Sequence, residues 1–263
     1  METRGRVAAI LRWTGESMVL LLGIFAAWQL LTGLFHPLYF PPPARIAVVI
    51  GRDWLSWSGL QTQVFPSLVR VTLGWALAAA VGITLGVAIG LVRGLGGYVY
   101  PLIHFARAVP PPVVLPVFLI LFGIGNDMKV FFVAFGVVWP VLINSIKGVQ
   151  SVDPTQVETA RVYGIHGLRR LTHVVLPAAL PEIFAGLRIS LSLSFVLMVI
   201  SEMIAASGGV GFQILHSQAV FNILNMWAGM VVLGIGGVVF NAALTAVEAH
   251  VLRWHRDLRE GSA

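Results

Sequence analysis

Long apolar runs separated by short polar segments make up most of this chain of 263 residues. About 20 consecutive apolar residues are enough for a helix to cross the hydrocarbon core of a bilayer. The pattern therefore predicts an all-α polytopic membrane protein in which residues 1–263 form one domain with six spans. We place the spans at about residues 18–35, 68–92, 98–124, 130–146, 183–205 and 226–252.

The first apolar run has a second interpretation, a cleaved signal peptide. Arg4, Arg6 and Arg12 precede it, and basic residues precede both kinds of segment. The run is long, however, and is followed by His36 and a proline-rich stretch rather than by small residues at a cleavage site. We therefore predict an uncleaved span with its N-terminus inside.

Small residues and prolines mark the second and third spans. A stripe of small residues four apart predicts that another helix packs closely on the second span, within the same subunit rather than along a transport path. The stripe consists of Gly74, Ala78, Gly82, Gly86, Gly90 and Gly94. In the third span, Pro110, Pro111, Pro112 and Pro116 remove backbone donors, which predicts a bend beside protein or a water-lined cavity.

The stretch 153–177 is the one long polar interruption between spans. Asp153 is a good N-cap and Pro154 fits the first helical position, whereas Gly164 suits a left-handed C-cap. We predict one short helix before Gly164 and a second from Gly167 to Val175, ended by Leu176 and Pro177. Such a helix pair is too polar for lipid and is suited to contact something outside the membrane.

Six spans place both termini and the stretch 153–177 on the same side. The positive-inside rule makes that side cytoplasmic, because it holds most of the 17 basic residues, with Arg107 and Arg188 counted near the inner ends of their spans. The outer side keeps Arg45, Arg52, Arg70 and Lys129. The outer loop 207–225 carries no charged residue.

Composition supports a membrane protein and excludes several other classes. Apolar residues make up 57% of the chain, charged residues 11%, and the mean hydropathy is +0.88. The formal charge of +6 is dispersed among the spans, so we expect no nucleic-acid partner. Cysteine is absent, and no phosphate-binding loop, zinc-protease motif or nucleophile elbow occurs. We therefore predict no catalytic residue, no metal site and no cofactor.

The stretch 153–177 also resembles the Glu-Ala-Ala loop of permease subunits in binding-protein-dependent ABC importers. That pattern is Glu-Ala-Ala, three residues, Gly, nine residues and Ile-x-Leu-Pro; here Thr159 replaces the second residue and Val174 the Ile. Further stretches are similar to the sulfonate, nitrate and taurine branch, which also includes bicarbonate permeases. They are Arg107-Ala108-Val109-Pro110-Pro111, Phe122-Gly123-Ile124-Gly125, Ser151-Val152-Asp153-Pro154, Leu176-Pro177-Ala178-Ala179-Leu180-Pro181 and Ser201-Glu202-Met203.

The resemblance implies a type I ABC importer permease fold in a bacterial cytoplasmic (inner) membrane. It implies two permease copies that form the path, two cytoplasmic ATPases that hydrolyse ATP, and an extracytoplasmic binding protein that delivers the substrate. The coupling contacts with the ATPases would come from Asp153, Pro154, Glu158, Thr159, Ala160, Arg161, Gly164, Leu176 and Pro177. Glu158 and Arg161 are three residues apart and could pair with each other or with the partner.

The substrate class stays open between several alternatives. The branch favours a small anion such as nitrate, a sulfonate, taurine or bicarbonate, whereas similar permeases carry neutral or cationic vitamin precursors. A stand-alone secondary transporter is less favoured, because spans one, two, four and six have no ionisable residue near their middles. The candidate path residues are Pro110, Pro111, Ser190, Ser194 and Glu202. For Glu202, we favour a fold-holding hydrogen bond over substrate contact.

Overall fold

Helices account for nearly all of the ordered backbone. The computed structural model describes residues 2–92 and 94–254, with side chains from residue 18 onward, so the side chains of Arg4, Arg6 and Arg12 lie outside the description. Within these ranges the backbone forms no strand. The helices are α1 (Glu2–Phe35), α2 (Pro43–Val49), α3 (Trp57–Gly59), α4 (Phe65–Leu91), α5 (Leu95–Ala108), α6 (Pro111–Phe122), α7 (Asn126–Gln150), α8 (Pro154–Val162), α9 (Gly167–Arg170), α10 (Leu176–Ala205), α11 (Val210–Ala219) and α12 (Ile223–Val251). Wider π-helical turns occupy Ile50–Trp54, Leu60–Val64 and Leu171–Val175.

Five helical stretches in the described ranges are long and apolar enough to cross a membrane. They are Met18–Phe35, Trp57–Leu91, Asn126–Gln150, Gly167–Ala205 and Ile223–Val251. A sixth crossing exists if α5 and α6 are counted as one broken span. Three helices, α4, α7 and α10, begin before the predicted spans, since each extends at its N-terminus beyond the apolar run.

The third predicted span is broken into α5 and α6, whose axes differ by 87°. The residue before a proline is driven out of helical geometry, and both Val109 and Pro110 are extended, with ψ of 118° and 126°. Pro111 and Pro112 then occupy the first turn of α6, where a missing N–H costs nothing. The predicted bend is confirmed, and it divides the span into two helices.

The small-residue stripe of α4 packs on α7. A Cβ atom built on each glycine would lie 2.5 to 2.8 Å from a side-chain carbon of α7. The pairs are Gly74 with Val133, Gly82 with Val141, Gly86 with Ser145 and Gly90 with Val149. The predicted packing within the subunit is thus confirmed, except at Gly94, which lies beyond α4 at a φ of +86° with nothing near it.

The order of these pairs fixes the direction of the helices. The pairs advance together, so α4 and α7 run parallel, and the α5–α6 pair carries the chain back between them. Gly136 meets Leu197 and Gly148 meets Ala179, so α10 runs antiparallel to α7. The two ends of the bundle are therefore distinct. We call the end that carries α8 the α8 end, and the opposite end, which carries α11, the α11 end.

The remaining helices follow the same alternation. Phe195 of α10 stacks edge-on against Phe240 of α12, and Arg188 pairs with Glu248, which makes these two helices antiparallel. Trp28, near the end of α1, contacts Trp227 at the start of α12 with ring centroids 5.4 Å apart. The last turns of α1 therefore lie at the α11 end of the bundle.

Two segments outside the apolar runs form part of the core. Helix α2 and the π-helical turn Ile50–Trp54 pack their apolar face on protein: Ile46 and Trp54 are buried against Ile214 of α11 and Ala228 of α12. Trp54 Nε1 donates a hydrogen bond of 2.6 Å to Asn225 Oδ1. The uncharged stretch after residue 207 is not a plain loop, because it contains α11.

Candidate functional site

Helix α8 begins and ends as its sequence predicts. Asp153 Oδ1 accepts a hydrogen bond of 2.8 Å from the Thr155 N–H, and Pro154 is the first helical residue. At the other end Gly164 has a φ of +72°, and its N–H donates to the carbonyl of Arg161 at 3.0 Å. These contacts satisfy terminal backbone groups without help from neighbouring helices.

The surface that α8 and α9 present is partly apolar. Ala160 is the one buried residue of α8, at 4% exposure, and packs toward the bundle. Val162, Tyr163 and Leu168 point outward with 84%, 78% and 75% of their surfaces exposed; these three residues are here called the α8–α9 tip. Exposed apolar side chains on a segment too polar for lipid indicate a surface for another protein.

The other predicted coupling residues have distinct surroundings. Thr159 Oγ1 donates to the Thr155 carbonyl at 2.7 Å, so the replacement of alanine by threonine disturbs nothing in the helix. No ion pair joins Glu158 to Arg161 among the described residues. Both instead line a groove of about 490 Å³ beside Arg170 and the end of α7, where their charges are free for a partner.

The prediction that Leu176 and Pro177 end the second helix is wrong. Helical backbone continues from Gly167 to Ala205 through the π-helical turn Leu171–Val175. The Leu176 N–H bonds to the carbonyl of Leu171, five residues back. This wider turn lets Pro177 occupy the first turn of α10, so α9 is continuous with α10.

A buried ion pair lies near the α11 end. Glu202 is fully buried, and its Oε1 accepts a hydrogen bond of 2.6 Å from Arg70 Nη1. Ser67 Oγ lies 2.7 and 2.8 Å from the two carboxylate oxygens, and the Gly211 N–H donates to Oε2 at 2.9 Å. Arg70 also donates to Asn126 Oδ1 at 2.8 Å and to the Gly208 carbonyl at 2.9 Å. The cluster thus ties α4, α7 and α10 to the segment before α11.

Glycines at the start of α11 make room for this carboxylate. Gly209 has a φ of +119°, and a Cβ atom there would lie 2.5 Å from the Glu202 carboxylate. A Cβ atom on Gly211 would lie 2.9 Å from Glu202 Cβ. These contacts match the fold-holding alternative for Glu202. Ser67 and Arg70 were not predicted as partners of Glu202 from the sequence, although an arginine and a glutamate near the outer ends of two spans could have suggested the pair.

A cleft of about 690 Å³ lies at the α5–α6 break. Middle parts of α7 and α10 form its walls with Pro111, Gly136, Pro140 and Leu197. Its polar lining residues are His104 and Arg107 of α5 and Asn144 of α7.

The predicted path residues are divided between the cleft and the core. Pro111 lines the cleft, and Pro110 is exposed at the break beside it. Ser190 and Ser194 are fully buried instead: Ser190 Oγ accepts from Trp75 Nε1 at 2.9 Å, and Ser194 Oγ donates to the Leu191 carbonyl at 2.6 Å. The face of α10 toward the cleft carries Ile189, Leu193, Val196 and Leu197. Glu202 does not line the cleft.

Comparison with known proteins agrees with this architecture. The model of the family described as binding-protein-dependent transport system inner membrane component matches residues 78–256. The taurine transport system permease protein TauC of Escherichia coli is 31% identical over 230 residues, 86% of this chain and 84% of that protein. The nitrate import permease protein NrtB of Synechococcus elongatus is 31% identical over 209 residues, 74% of each chain. The bicarbonate transport system permease protein CmpB of the same species is 31% identical over 244 residues, 89% of this chain and 87% of that protein.

A solved structure supports the fold independently. An inward-facing structure of the MetNI methionine ABC transporter superposes with a TM-score of 0.66 at 18% identity, over 75% of this chain and 97% of that chain. The helical fold is therefore that of an ABC importer permease. The chain belongs to the family of binding-protein-dependent transport system inner membrane components, the permease subunits of ABC importers.

Proposed function

We propose that this chain carries a small anion inward across a bacterial cytoplasmic membrane, as one of two identical permease subunits. Two ATPases at the α8 end supply the energy, and an extracytoplasmic binding protein delivers the anion at the α11 end. The permease itself binds no nucleotide; ATP hydrolysis belongs to the partners.

The α8–α9 tip is the observation that carries this proposal. It joins an apolar surface to the charged groove that holds Glu158, Arg161 and Arg170. Helix α8 is capped by its own residues, and α9 continues through the π-helical turn Leu171–Val175 into α10. A displacement of the tip can therefore be transmitted to α10, which also forms a wall of the cleft. Coupling to an ATPase requires such a connection.

Charge supports the orientation. Basic residues cluster at the α8 end, and cytoplasmic segments carry an excess of them. They include Lys147, Arg161, Arg169, Arg170 and Arg253. The end of α12 lies at this same end, as does the start of α1, so we infer that both termini are cytoplasmic.

A second permease copy completes the path. The cleft is open along one side in the single subunit and is walled by α5, α6, α7 and α10. Native mass spectrometry of the complex purified through a tagged permease tests this. We expect two permease and two ATPase chains; one permease copy, or two different permeases, would overturn the homodimer.

The anionic substrate is supported by the relatives: two are named for the anions nitrate and bicarbonate, and one for taurine, a zwitterion with an anionic sulfonate group. A secondary transporter is disfavoured, because Glu202 already accepts bonds from Arg70, Ser67 and Gly211 and is not free to bind a coupling ion. Calorimetric titration of the binding protein that acts with this permease, with nitrate, bicarbonate, taurine and an alkanesulfonate, tests the substrate class. Binding of a neutral or cationic vitamin precursor alone would favour the alternative.

A further inference from the structure

Arg107 lies about halfway between the two ends of the bundle rather than near an inner end. It is in the last turn of α5, exposed to the cleft at the α5–α6 break. The opposite wall contains Pro140, about halfway along α7, and Leu193, about halfway along α10. Helices of this length cross the hydrocarbon core at 1.5 Å per residue, so their midpoints lie near the middle of the membrane.

The charge of Arg107 has no acidic partner in the described part of the chain. Arg70 pairs with Glu202, and Arg188 pairs with Glu248. Lys129 donates to the Gly125 carbonyl at 3.0 Å. No carboxylate comes within ion-pair distance of Arg107 among residues 18–92 and 94–254. An unpaired cation at this depth is costly, and such residues commonly serve ion or substrate pathways.

The surroundings of Arg107 suit a transient anion. His104 and Asn144 line the same cleft, and the remaining lining is largely apolar. A guanidinium presents paired N–H donors that match the oxygens of a carboxylate, nitrate, bicarbonate or sulfonate group. A path also needs sites that bind weakly enough to release the ion. One arginine with a histidine and an asparagine beside it meets that condition better than a cage of several arginines and lysines.

We propose that Arg107, with His104 and Asn144 beside it, is the site where the transported oxyanion is held at mid-membrane depth. The ligand class is a small oxyanion with at least two oxygens accessible on one face. This inference rests on the proposed function and adds the residue that makes the path selective for anions. The same positive charge excludes cations from the cleft.

Transport by the complete complex gives the first test. Permease, ATPase and binding protein are reconstituted in proteoliposomes, and import of the anion that the binding protein takes is compared among variants. Arg107→Gln should lower import about tenfold or more, whereas Arg107→Lys should keep a substantial part of it, because the charge remains. Arg253→Gln, an exposed arginine at the α8 end, is the matched control and should import as wild type does.

A second measurement does not depend on transport. The chain has no cysteine, so Leu193→Cys places a single thiol on the exposed wall opposite Arg107. Modification of this thiol in the purified complex is measured by mass spectrometry with anionic sulfonatoethyl and cationic trimethylammonium-ethyl methanethiosulfonate. We expect the anionic reagent to be favoured, and Leu193→Cys combined with Arg107→Gln to lose that preference.

The outcomes separate this inference from the proposed function. If wild type imports an anion and Arg107→Gln imports it equally well, the role of Arg107 is wrong and the proposed function stands. If wild type imports only a neutral or cationic compound, the anion proposal itself fails. If Arg107→Gln does not assemble, the inference is tested with Leu193→Cys alone, in which Arg107 is present. The anionic reagent should then modify the thiol more than the cationic reagent does. Equal modification by the two reagents, or no modification in either the resting or the vanadate-arrested complex, overturns the inference.

Discussion

Arg70 and Glu202 form the most deeply buried charged pair in the described chain, with side chains 10% and 0% exposed. Removing one partner of a buried pair leaves the other charge uncompensated and costs about 3–5 kcal/mol. Glu202→Gln should therefore lower the unfolding temperature in detergent strongly, and Arg70→Gln added to Glu202→Gln should recover part of the loss. Thermal unfolding of the purified permease measures both.

The control for this pair is Arg52→Gln. Arg52 pairs with Asp53 on the surface, where water screens the interaction, so no measurable change is expected. An unfolding temperature of Glu202→Gln equal to that of wild type would contradict a fold-holding role. Unchanged assembly together with unchanged transport would also remove Glu202 from the mechanism.

For Ser145 of α7 we predict that substitution does not lower the unfolding temperature, in contrast to Glu202. Its hydroxyl is buried with no hydrogen-bond partner in the described structure, where it faces Gly86 of α4. A buried unsatisfied hydroxyl costs roughly 1–3 kcal/mol. Ser145→Ala should therefore leave the unfolding temperature equal or raise it, whereas Ser194→Ala, which removes a bonded hydroxyl, should not raise it. A lower temperature for Ser145→Ala would show that the hydroxyl has a partner.

Sequence alone could predict that Glu202 avoids lipid, but not which groups hold it. Its partners Ser67 and Arg70 are 135 and 132 residues away. The distance in space from Glu202 to these two residues depends on how far α4 and α10 are shifted along their axes, and tertiary packing sets that shift. The same reason explains Ser190 and Ser194: the pattern places them on α10, whereas only the packing decides that both are buried, Ser190 against Trp75 of α4.

The C-terminal end of helix α8 depends on the backbone conformation of Gly164. Gly164 has a φ of +72° and open space around it, so a side chain there is opposed by backbone conformation rather than by a clash. A β-branched residue in such a conformation costs roughly 1–3 kcal/mol. Gly164→Val should insert normally and assemble with less ATPase, or hydrolyse ATP without transport. Subunit stoichiometry, hydrolysis and transport in proteoliposomes measure this.

Gly97→Val is the matched control for Gly164→Val. Gly97 is an exposed glycine of α5 at the α8 end, with nothing near it and no left-handed backbone. It should retain bound ATPase and coupled transport. If Gly164→Val matches wild type in all three measurements, α8 is not the coupling element.

The contact between α4 and α7 supplies the second test at this scale. A Cβ atom at Gly86 would lie 2.5 Å from Ser145 Cβ and 2.8 Å from the Leu142 carbonyl oxygen, so the backbones must separate. Overpacking of this kind costs typically about 1–3 kcal/mol. Gly86→Ala should lower the unfolding temperature, and Gly234→Ala, on a face of α12 with nothing near it, should not. Equal temperatures would contradict the close packing.

Elements were predictable where a local pattern specifies them. Spacing of four residues identified the stripe on α4, and cap residues identified both ends of α8. The continuity through Pro177 was not predictable, because it depends on the π-helical turn Leu171–Val175. Helix α11 was missed, although Val210, Ile214 and Ser217 repeat at helical spacing, because two glycines before it are typical of a loop.

The whole molecule is a bundle in which helix direction alternates and one crossing is broken. The apolar pattern predicted six crossings, and the prolines predicted where the third would bend. The sequence could not predict that the 87° break opens a cleft lined by Arg107, because the cleft depends on the positions of α7 and α10. Sequence therefore specified the architecture, and packing specified which residues line the cleft.

The central claim is that this chain is an ATP-driven permease for a small anion. The direct measurement is uptake of the labelled anion into proteoliposomes that contain the permease, its ATPase and its binding protein, with and without ATP. We predict accumulation that requires ATP, the binding protein and an intact α8. Uptake that proceeds equally without ATP, or without the ATPase subunit, would contradict the account.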